Sequence, residues 1–186
     1  GAARVLVQTP DGTVGWVARA RVGGNGTQPS GDPWGRYQRP GLGRPVPPHT
    51  GGLTEVALAA RKRLGRPYRW GGNTAEAADC SGFVQSVIYE GAGILLPKNT
   101  RDQMMKGSRV ASGAIGPGDL IFVRGLDAGI MHVGLALPEP AAGSVGVIHS
   151  CLSRNVVLEE PLDAFLTRYR FTGARRVLAW AGHEGP

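Results

Sequence analysis

The spacing of apolar residues predicts helices in the first part of the main domain and short strands after them. Apolar positions recur at helical intervals over residues 53–64 and again from Phe83 to Ile88, which predicts two helices that each bury one face. Thr100 is a suitable N-cap for a third, short helix. Apolar runs bounded by turn residues predict strands at residues 120–123, 130–137, 145–151, 155–158 and 176–180. We therefore expect an α+β fold in which N-terminal helices pack on a mostly antiparallel sheet of about five or six strands.

The chain before this domain divides into two stretches of different character. Residues 1–22 predict a small β module, with strands at Arg4–Gln8 and Gly15–Val22 joined by a turn at Thr9–Gly12. Because a lone hairpin is only marginally stable in water, we expect these strands to pack on another element. Residues 23–52 are rich in glycine and proline, as is typical of a linker. The predicted main domain then covers residues 53–182.

The charge balance favours an acidic partner without identifying one. The sequence has a net charge of +7, with 19% charged and 41% hydrophobic residues, a composition typical of a globular protein. Such a charge suits nucleic acid, anionic lipid or an acidic wall polymer, although basic side chains that are merely solvated would produce it too. The basic residues are dispersed and lack interleaved aromatic residues, so we do not expect a nucleic-acid partner. No apolar run approaches the ~18 residues of a membrane-spanning helix.

Cys80 has the surroundings expected of a reactive cysteine. Asp79 is a suitable N-cap, so Cys80 falls in the first turn of the helix that carries Phe83 and Ile88. At that position the helix dipole and the unpaired backbone N–H groups favour the thiolate, which lowers the pKa of the Cys80 thiol and makes its sulfur nucleophilic. The alternative is a buried structural cysteine, which is a common fate of this residue type.

Two histidines in predicted strands are candidate partners of Cys80. His132 shares a strand face with Gly134 and Ala136, small residues that leave room beside the imidazole. If its strand pairs with the strand of His149, we expect one face to hold His132 against the Cys80 helix, with His149 beside it. Cys80 would then attack an acyl carbon, His132 would move the proton from the thiol to the leaving amine, and His149 would fix the tautomer of His132. Alternatively, both histidines are hydrogen-bonded residues of the core.

Several short motifs occur in order between residues 68 and 135. They are Tyr68-x-Trp-Gly-Gly, Asp79-Cys-Ser-Gly-Phe-Val, Leu96-Pro, Pro117-Gly-Asp-Leu-Ile-Phe and His132-Val-Gly-Leu. In combination they resemble the NlpC-type family of bacterial cell-wall cysteine peptidases, which are papain-like enzymes, over about residues 53–180. The pattern Asp11-Gly-x-x-Gly-Trp-Val near the N-terminus resembles the closing strands of bacterial SH3-like domains, of which only a part is present.

The resemblance implies a reaction and the residues that perform it. Members of this family hydrolyse peptidoglycan stem peptides, usually at the bond between γ-D-glutamyl and the diamino acid at position three. The resemblance matches Cys80 as nucleophile, His132 as base and His149 as the third polar residue, without a cofactor or metal. We expect the oxyanion of the intermediate to be met by the backbone N–H of Cys80 and by the Tyr68 hydroxyl.

The resemblance also suggests substrate contacts. In members that have SH3-like domains and require a free N-terminal L-Ala, the residues that flank the cysteine hold that amine, and the motif tyrosine reaches the site. Those positions here are Asp79, Ser81 and Tyr68, and we add Trp70 from the same motif as Tyr68. For Asp79, a purely structural role as the helix cap is the alternative.

The partner and the location follow from the same resemblance. We expect peptidoglycan or released muropeptides as the partner, and a place in the cell envelope or outside the cell, with cytoplasmic recycling as an alternative. The sequence starts at Gly1 and shows no signal segment. Two other functions stay open: another papain-like acyl-transfer enzyme (amidase, transglutaminase or acyltransferase), and a non-catalytic wall-binding module whose cysteine has an ordinary pKa of about 8.5.

Cys151 lies two residues beyond His149, so strand alternation points it to the same side of the sheet. We expect Cys151 to pack in the core, and as a further hypothesis to lie near enough to Cys80 to form an inactivating disulfide. A zinc site formed by both cysteines with His132 and His149 lacks paired ligand spacing and is not favoured.

Overall fold

The computed structural model describes residues 3–8, 14–21, 52–125, 131–139 and 144–178. The chain divides into two compact units, Gly1–Pro47 and Pro48–Pro186. In the first unit, β1 (Arg4–Gln8) pairs antiparallel with β2 (Val14–Ala18), and a 3-10 turn follows. Both predicted strands are therefore present, but the second, predicted as Gly15–Val22, ends at Ala18 where the 3-10 turn begins. Their likeness to an SH3-like domain stays a prediction, and the predicted turn and most of the linker lie outside the described residues.

The second unit begins with helices and continues into a sheet. The helices before the sheet are α1 (Leu53–Arg61), α2 (Cys80–Ala92) and α3 (Thr100–Gln103). The remaining elements are β3 (Ser108–Val110), β4 (Asp119–Gly125), β5 (Met131–Pro138), β6 (Val145–Cys151), β7 (Val156–Pro161), α4 (Leu162–Arg168) and β8 (Tyr169–Arg176). These strands form a six-stranded sheet in the order β3-β8-β4-β5-β6-β7, and all neighbours are antiparallel. The predicted α+β class is confirmed.

The bounds of several elements differ from the prediction. α1 ends at Arg61, and not at residue 64, because the chain turns through Lys62 toward the left-handed Gly65. The last strand is Tyr169–Arg176, so the strand predicted at residues 176–180 is wrong for residues 177 and 178, while residues 179 and 180 lie outside the described residues. α4 and the three-residue β3 were not predicted, because elements this short carry too few apolar repeats to register as a period.

Apolar side chains cover both faces of the sheet. On one face, α1 and α2 pack on a cluster that includes Val133, Leu135 and Ile148. On the other face, Phe165 of α4 packs with Val147 and its neighbours. Successive residues of a strand point to opposite faces, so β5 and β6 contact α1 and α2 on one face and α4 on the other. Within the described part of the chain, no helix is long and apolar enough to cross a membrane.

Candidate active site

The nucleophile candidate occupies the first position of α2, as the sequence predicts. Asp79 has extended backbone geometry, and its Oδ1 accepts a hydrogen bond from the N–H of Gly82 at 2.7 Å, which caps the helix. Cys80 is the first helical residue and its side chain is buried, with 8% of the residue exposed. Because the first N–H groups of a helix have no intrahelical acceptor, the N–H of Cys80 is placed to bind an anion.

The segment before Cys80 is hydrogen-bonded to the far edge of the sheet. The N–H of Gly65 donates to the carbonyl of Val157 at 2.9 Å, and the N–H of Tyr68 donates to the carbonyl of Asn155 at 3.2 Å. Closer to the thiol, the Ser150 hydroxyl donates to the carbonyl of Ala78 at 2.7 Å. These contacts fix the helix N-terminus against β6 and β7.

The Cys80 sulfur lies where the ladder between β5 and β6 ends. The register of these strands runs from Leu135 opposite Ile148 to Pro138 opposite Val145. Beyond that point, the N–H of Val133 hydrogen-bonds to the Cys80 sulfur. Val133 follows His132 directly in the chain. The thiol is therefore beside the backbone of the residue next to the predicted base.

The two predicted histidine partners are in direct contact. Nε2 of His132 and Nδ1 of His149 are 2.8 Å apart, and the rings meet edge to face. Tyr169 stacks on the His132 ring with the centroids 5.3 Å apart, and Phe165 lies 5.0 Å from the His149 ring. His132 is 7% exposed and His149 is fully buried. Packing and hydrogen bonding thus hold the His132 ring in one orientation.

The expected relation between the histidines and α2 is wrong in one respect. His132 and His149 lie on the α4 face with Phe165, whereas Val133 on the opposite face packs against α2. The prediction placed His132 on the face that α2 covers. Alternation along β5 separates them, and the sulfur approaches instead at the end of the β5–β6 ladder.

Burial controls the protonation of the Cys80 thiol and of the His132 imidazole. Burial raises the pKa of the Cys80 thiol, the Asp79 charge adds to this, and hydrogen bonds from Val133, Thr100 and Ser81 oppose it. The expectation that the helix N-terminus lowers this pKa is therefore wrong, because desolvation outweighs the dipole. Burial also lowers the pKa of His132 to about 3. Near neutral pH the pair consists of a thiol and a neutral imidazole, so sulfur needs a base to become a nucleophile.

Asp79 already binds an ammonium group of this chain. Nζ of Lys98 lies 2.7 Å from Oδ1 and 2.8 Å from Oδ2 of Asp79, and both side chains are largely buried. The same carboxylate accepts from the N–H of Gly71 and from the hydroxyl of Ser81, which is buried. These contacts favour the capping role of Asp79. The binding of a substrate amine by Asp79 and Ser81 stays a prediction.

The two predicted aromatic contacts lie on the segment that leads to Cys80. Tyr68 forms a bridge with Ala78, two residues before the nucleophile. Burial raises the pKa of the Tyr68 phenol, and the charge of Cys80 adds to this shift. The hydroxyl therefore stays protonated and can donate a hydrogen bond near the sulfur. Trp70 is 73% exposed, so its indole is open to solvent and to a ligand.

Comparison with known proteins identifies the family to which this chain belongs. The sequence model of the NlpC/P60 family matches residues 65–176, a range that contains Cys80, His132 and His149. The chain belongs to the NlpC/P60 family.

Relatives and a solved structure give the extent of the likeness. Murein DD-endopeptidase MepS/murein LD-carboxypeptidase of Escherichia coli K12 is 34% identical over 112 residues, 60% of this chain and 56% of that protein. The γ-DL-glutamyl hydrolase of Bacillus subtilis 168 is 36% identical over 123 residues, 65% of this chain and 28% of that protein. A crystal structure of an NlpC/P60 family protein from Bacillus cereus ATCC 10987 has a TM-score of 0.60 and 26% identity, covering 96% of this chain and 52% of that one. This chain spans about half of these proteins or less.

Glu160 completes the polar chain of this NlpC/P60 domain and was missed by the sequence analysis. Its Oε1 lies 2.9 Å from Nε2 of His149, and its Oε2 lies 2.9 Å from the guanidinium of Arg168. Thr100 was predicted as the N-cap of α3, but Asn99 has that position and Thr100 is the first helical residue, with its Oγ1 3.9 Å from the Cys80 sulfur. Each of these contacts depends on register or on helix packing. Glu160 lies two residues beyond the strand predicted at residues 155–158 and enters β7 only in the structure, so no sequence pattern pointed to it.

Cys151 lies on the histidine side of the sheet, as alternation predicts. It is fully buried, and its sulfur lies 3.3 Å from the Ser153 hydroxyl and 3.9 Å from the Tyr169 hydroxyl. Both cysteines are free thiols, and these contacts favour core packing over the hypothetical disulfide. In the described ranges, no three His, Cys, Asp or Glu residues are grouped so as to hold a metal ion.

Proposed function

We propose that this NlpC/P60 domain is a cysteine endopeptidase that hydrolyses peptidoglycan stem peptides at the bond between γ-D-glutamyl and the diamino acid. The observation that carries this proposal is the position of Cys80 at a capped helix N-terminus. Its sulfur accepts a hydrogen bond from the N–H of Val133, the residue after His132, and the His132 ring is hydrogen-bonded to His149. The names of the relatives, a murein endopeptidase and a γ-DL-glutamyl hydrolase, support the choice of substrate.

In the proposed mechanism, the acyl transfer begins from a neutral pair. The Cys80 sulfur attacks the γ-carbonyl carbon as His132 takes the thiol proton. The proton goes to Nδ1 of His132, because Nε2 is hydrogen-bonded to His149. The carbonyl electrons move to oxygen, which accepts hydrogen bonds from the N–H of Cys80 and the hydroxyl of Tyr68. The imidazolium then protonates the leaving amine, and the C–N bond breaks to give a thioester. Water, deprotonated by His132, hydrolyses the thioester and restores the thiol.

In place of the predicted amine contact by Asp79 and Ser81, we propose that the substrate end of the site accepts stem peptides whether or not their N-terminal amine is free. The two oxygens of Asp79 are neutralised by Lys98, so this carboxylate offers little to a second ammonium. The exposed indole of Trp70 supplies an apolar surface beside the segment that carries Tyr68. With peptidoglycan as the partner, we propose a location in the cell envelope or outside the cell.

A digest of defined muropeptides, with the products identified by mass, tests the proposal. We expect cleavage after γ-D-glutamate, with peptides bearing free and N-acetylated L-Ala turned over at similar rates. Cys80→Ala should abolish product while binding stays measurable, and Cys151→Ala is the matched control that should remain active. Unchanged turnover by Cys80→Ala would end the claim, and transfer of the acyl group to an added amine in place of water would assign another acyl-transfer reaction.

A further inference from the structure

A third polar group, the carboxylate of Glu160, lies beside His149 on the side away from His132. It comes from β7, the strand next to that of His149. In the register of β6 and β7, Glu160 is opposite Val147, which places it on the same sheet face as His149 and diagonal to it. Oε1 of Glu160 contacts Nε2 of His149 at 2.9 Å, and Oε2 contacts Arg168 of α4 at 2.9 Å. Glu160 is 9% exposed, so this carboxylate is built into the core of the domain.

The direction of each hydrogen bond in this chain follows from what each group can donate. Arg168 has only donors, and a carboxylate without a proton has only acceptors. The hydrogen bond from His149 also holds the pKa of Glu160 below its usual range. Nε2 of His149 must therefore carry a proton and donate a hydrogen bond to Oε1 of Glu160. In a neutral ring, Nδ1 of His149 then has no proton and must accept.

The same argument continues to His132. Since Nδ1 of His149 accepts, Nε2 of His132 must donate across the 2.8 Å contact. Burial keeps His132 neutral, so its Nδ1 has a free lone pair. A lone pair at Nδ1 is what a base needs to take the thiol proton. If His149 carried its proton on Nδ1, the order would reverse, and His132 would present an N–H to the sulfur.

We propose that Glu160, held by Arg168, is a positioning residue that fixes the tautomers of both histidines and so leaves Nδ1 of His132 free to act as the base. This deepens the proposed peptidase function and rests on it. Glu160 acts only through His149. Five charged or titratable groups of the described residues face His149. They are Glu160 from β7, Arg154 from the turn before β7, Arg168 from α4, His132 from β5 and Tyr169 from β8.

Glu160→Gln is the informative variant because the amide has an acceptor oxygen on one side and a donor NH₂ group on the other. Arg168 can only donate, so it takes the amide oxygen, and the NH₂ group then turns to Nε2 of His149. That contact forces the proton of His149 to Nδ1 and reverses the chain. We expect kcat on the muropeptide to fall by between about 10²- and 10⁴-fold, as when other catalytic histidines lose their orienting carboxylate.

Glu159→Gln is the matched control on the same strand. Glu159 also pairs with an arginine, Arg61, at 2.7 Å, but it is opposite Ile148 and on the other face of the sheet. We expect its kcat to stay close to that of the unmodified domain. Adding Arg168→Gln to Glu160→Gln frees the amide oxygen to turn toward His149, so the double variant should recover at least about tenfold over Glu160→Gln. A purely structural role predicts further loss.

The tautomers themselves can be read without substrate, by ¹⁵N NMR of the labelled histidines. In the unmodified domain we expect both rings as the Nε2–H form, and in Glu160→Gln both as the Nδ1–H form. An Nδ1–H form of His132 in the unmodified domain would overturn the inference, as would unchanged kcat and tautomers in Glu160→Gln. If no muropeptide is cleaved, the peptidase proposal fails, while the NMR result still decides the hydrogen-bond order.

Discussion

The ion pair between Lys98 and Asp79 gives the sharpest test of what stabilises the helix N-terminus that carries Cys80. Lys98→Met keeps most of the side-chain volume and removes the ammonium that lies within 2.8 Å of both oxygens of Asp79. The side chains of Lys98 and Asp79 are 8% and 13% exposed, so solvent screens the pair little. Removing one partner of such a pair costs about 3–5 kcal/mol, because the other charge stays buried.

The expected loss lies near the lower end of that range. Asp79 keeps its hydrogen bonds from the N–H groups of Gly82 and Gly71, at 2.7 Å and 2.9 Å, and from the Ser81 hydroxyl at 3.3 Å. We therefore expect the free energy of unfolding to fall by about 3 kcal/mol, which for a domain of this size lowers Tm by roughly 6–12 °C. The uncompensated charge of Asp79 should also raise the pKa of Cys80, so alkylation of the thiol should slow.

Thermal and urea unfolding followed by circular dichroism at pH 7 measure this change. Lys62→Met is the control, since Lys62 is an exposed lysine at the end of α1. Lys98→Met combined with Asp79→Asn should regain more than half of the lost stability, because asparagine still caps a helix and carries no charge. A Tm for Lys98→Met within about 2 °C of the unmodified domain, or no recovery in the double variant, would refute the reasoning.

Two further predictions concern acid stability and the packing of the helix N-terminus. Burial lowers the pKa of His132 to about 3 from the value of 6.5 for a free imidazole. Between pH 6.5 and pH 3 the unfolded chain therefore binds a proton that the folded domain does not, so the free energy of unfolding decreases as the pH is lowered. At pH 4, His132 should have reduced the free energy of unfolding by about 3 kcal/mol. In urea titrations, the stability of His132→Gln should therefore depend less on pH than that of the unmodified domain, and an equal pH dependence of the two would contradict this. Gly82→Ala should destabilise the domain by about 1–3 kcal/mol and reduce activity, because the added Cβ would lie 2.0 Å from the carbonyl oxygen of Gly72. Gly113→Ala, whose Cβ would meet nothing within 4 Å, should leave unfolding unchanged, and equal midpoints for both variants would count against this packing argument.

The sequence alone determined the class of the fold and the position of the candidate nucleophile, Cys80, at the start of a helix. Helix caps and strand alternation act over a few residues, so the capping of α2 by Asp79 and the placing of His149 and Cys151 on one face could be predicted from local patterns. The motif resemblance supplied the family, which the family match to residues 65–176 then established.

The tertiary structure decided the charge states and the partners. Whether the pKa of the Cys80 thiol is raised or lowered depends on how far the fold excludes water from the sulfur. The residues that predict a helix do not predict the burial of one side chain. The ammonium on Asp79 and the carboxylate behind His149 come from residues 19 and 11 positions away, respectively. Such contacts are fixed by strand register and helix packing, which combine distant parts of the chain, and therefore no local pattern in the sequence encodes them.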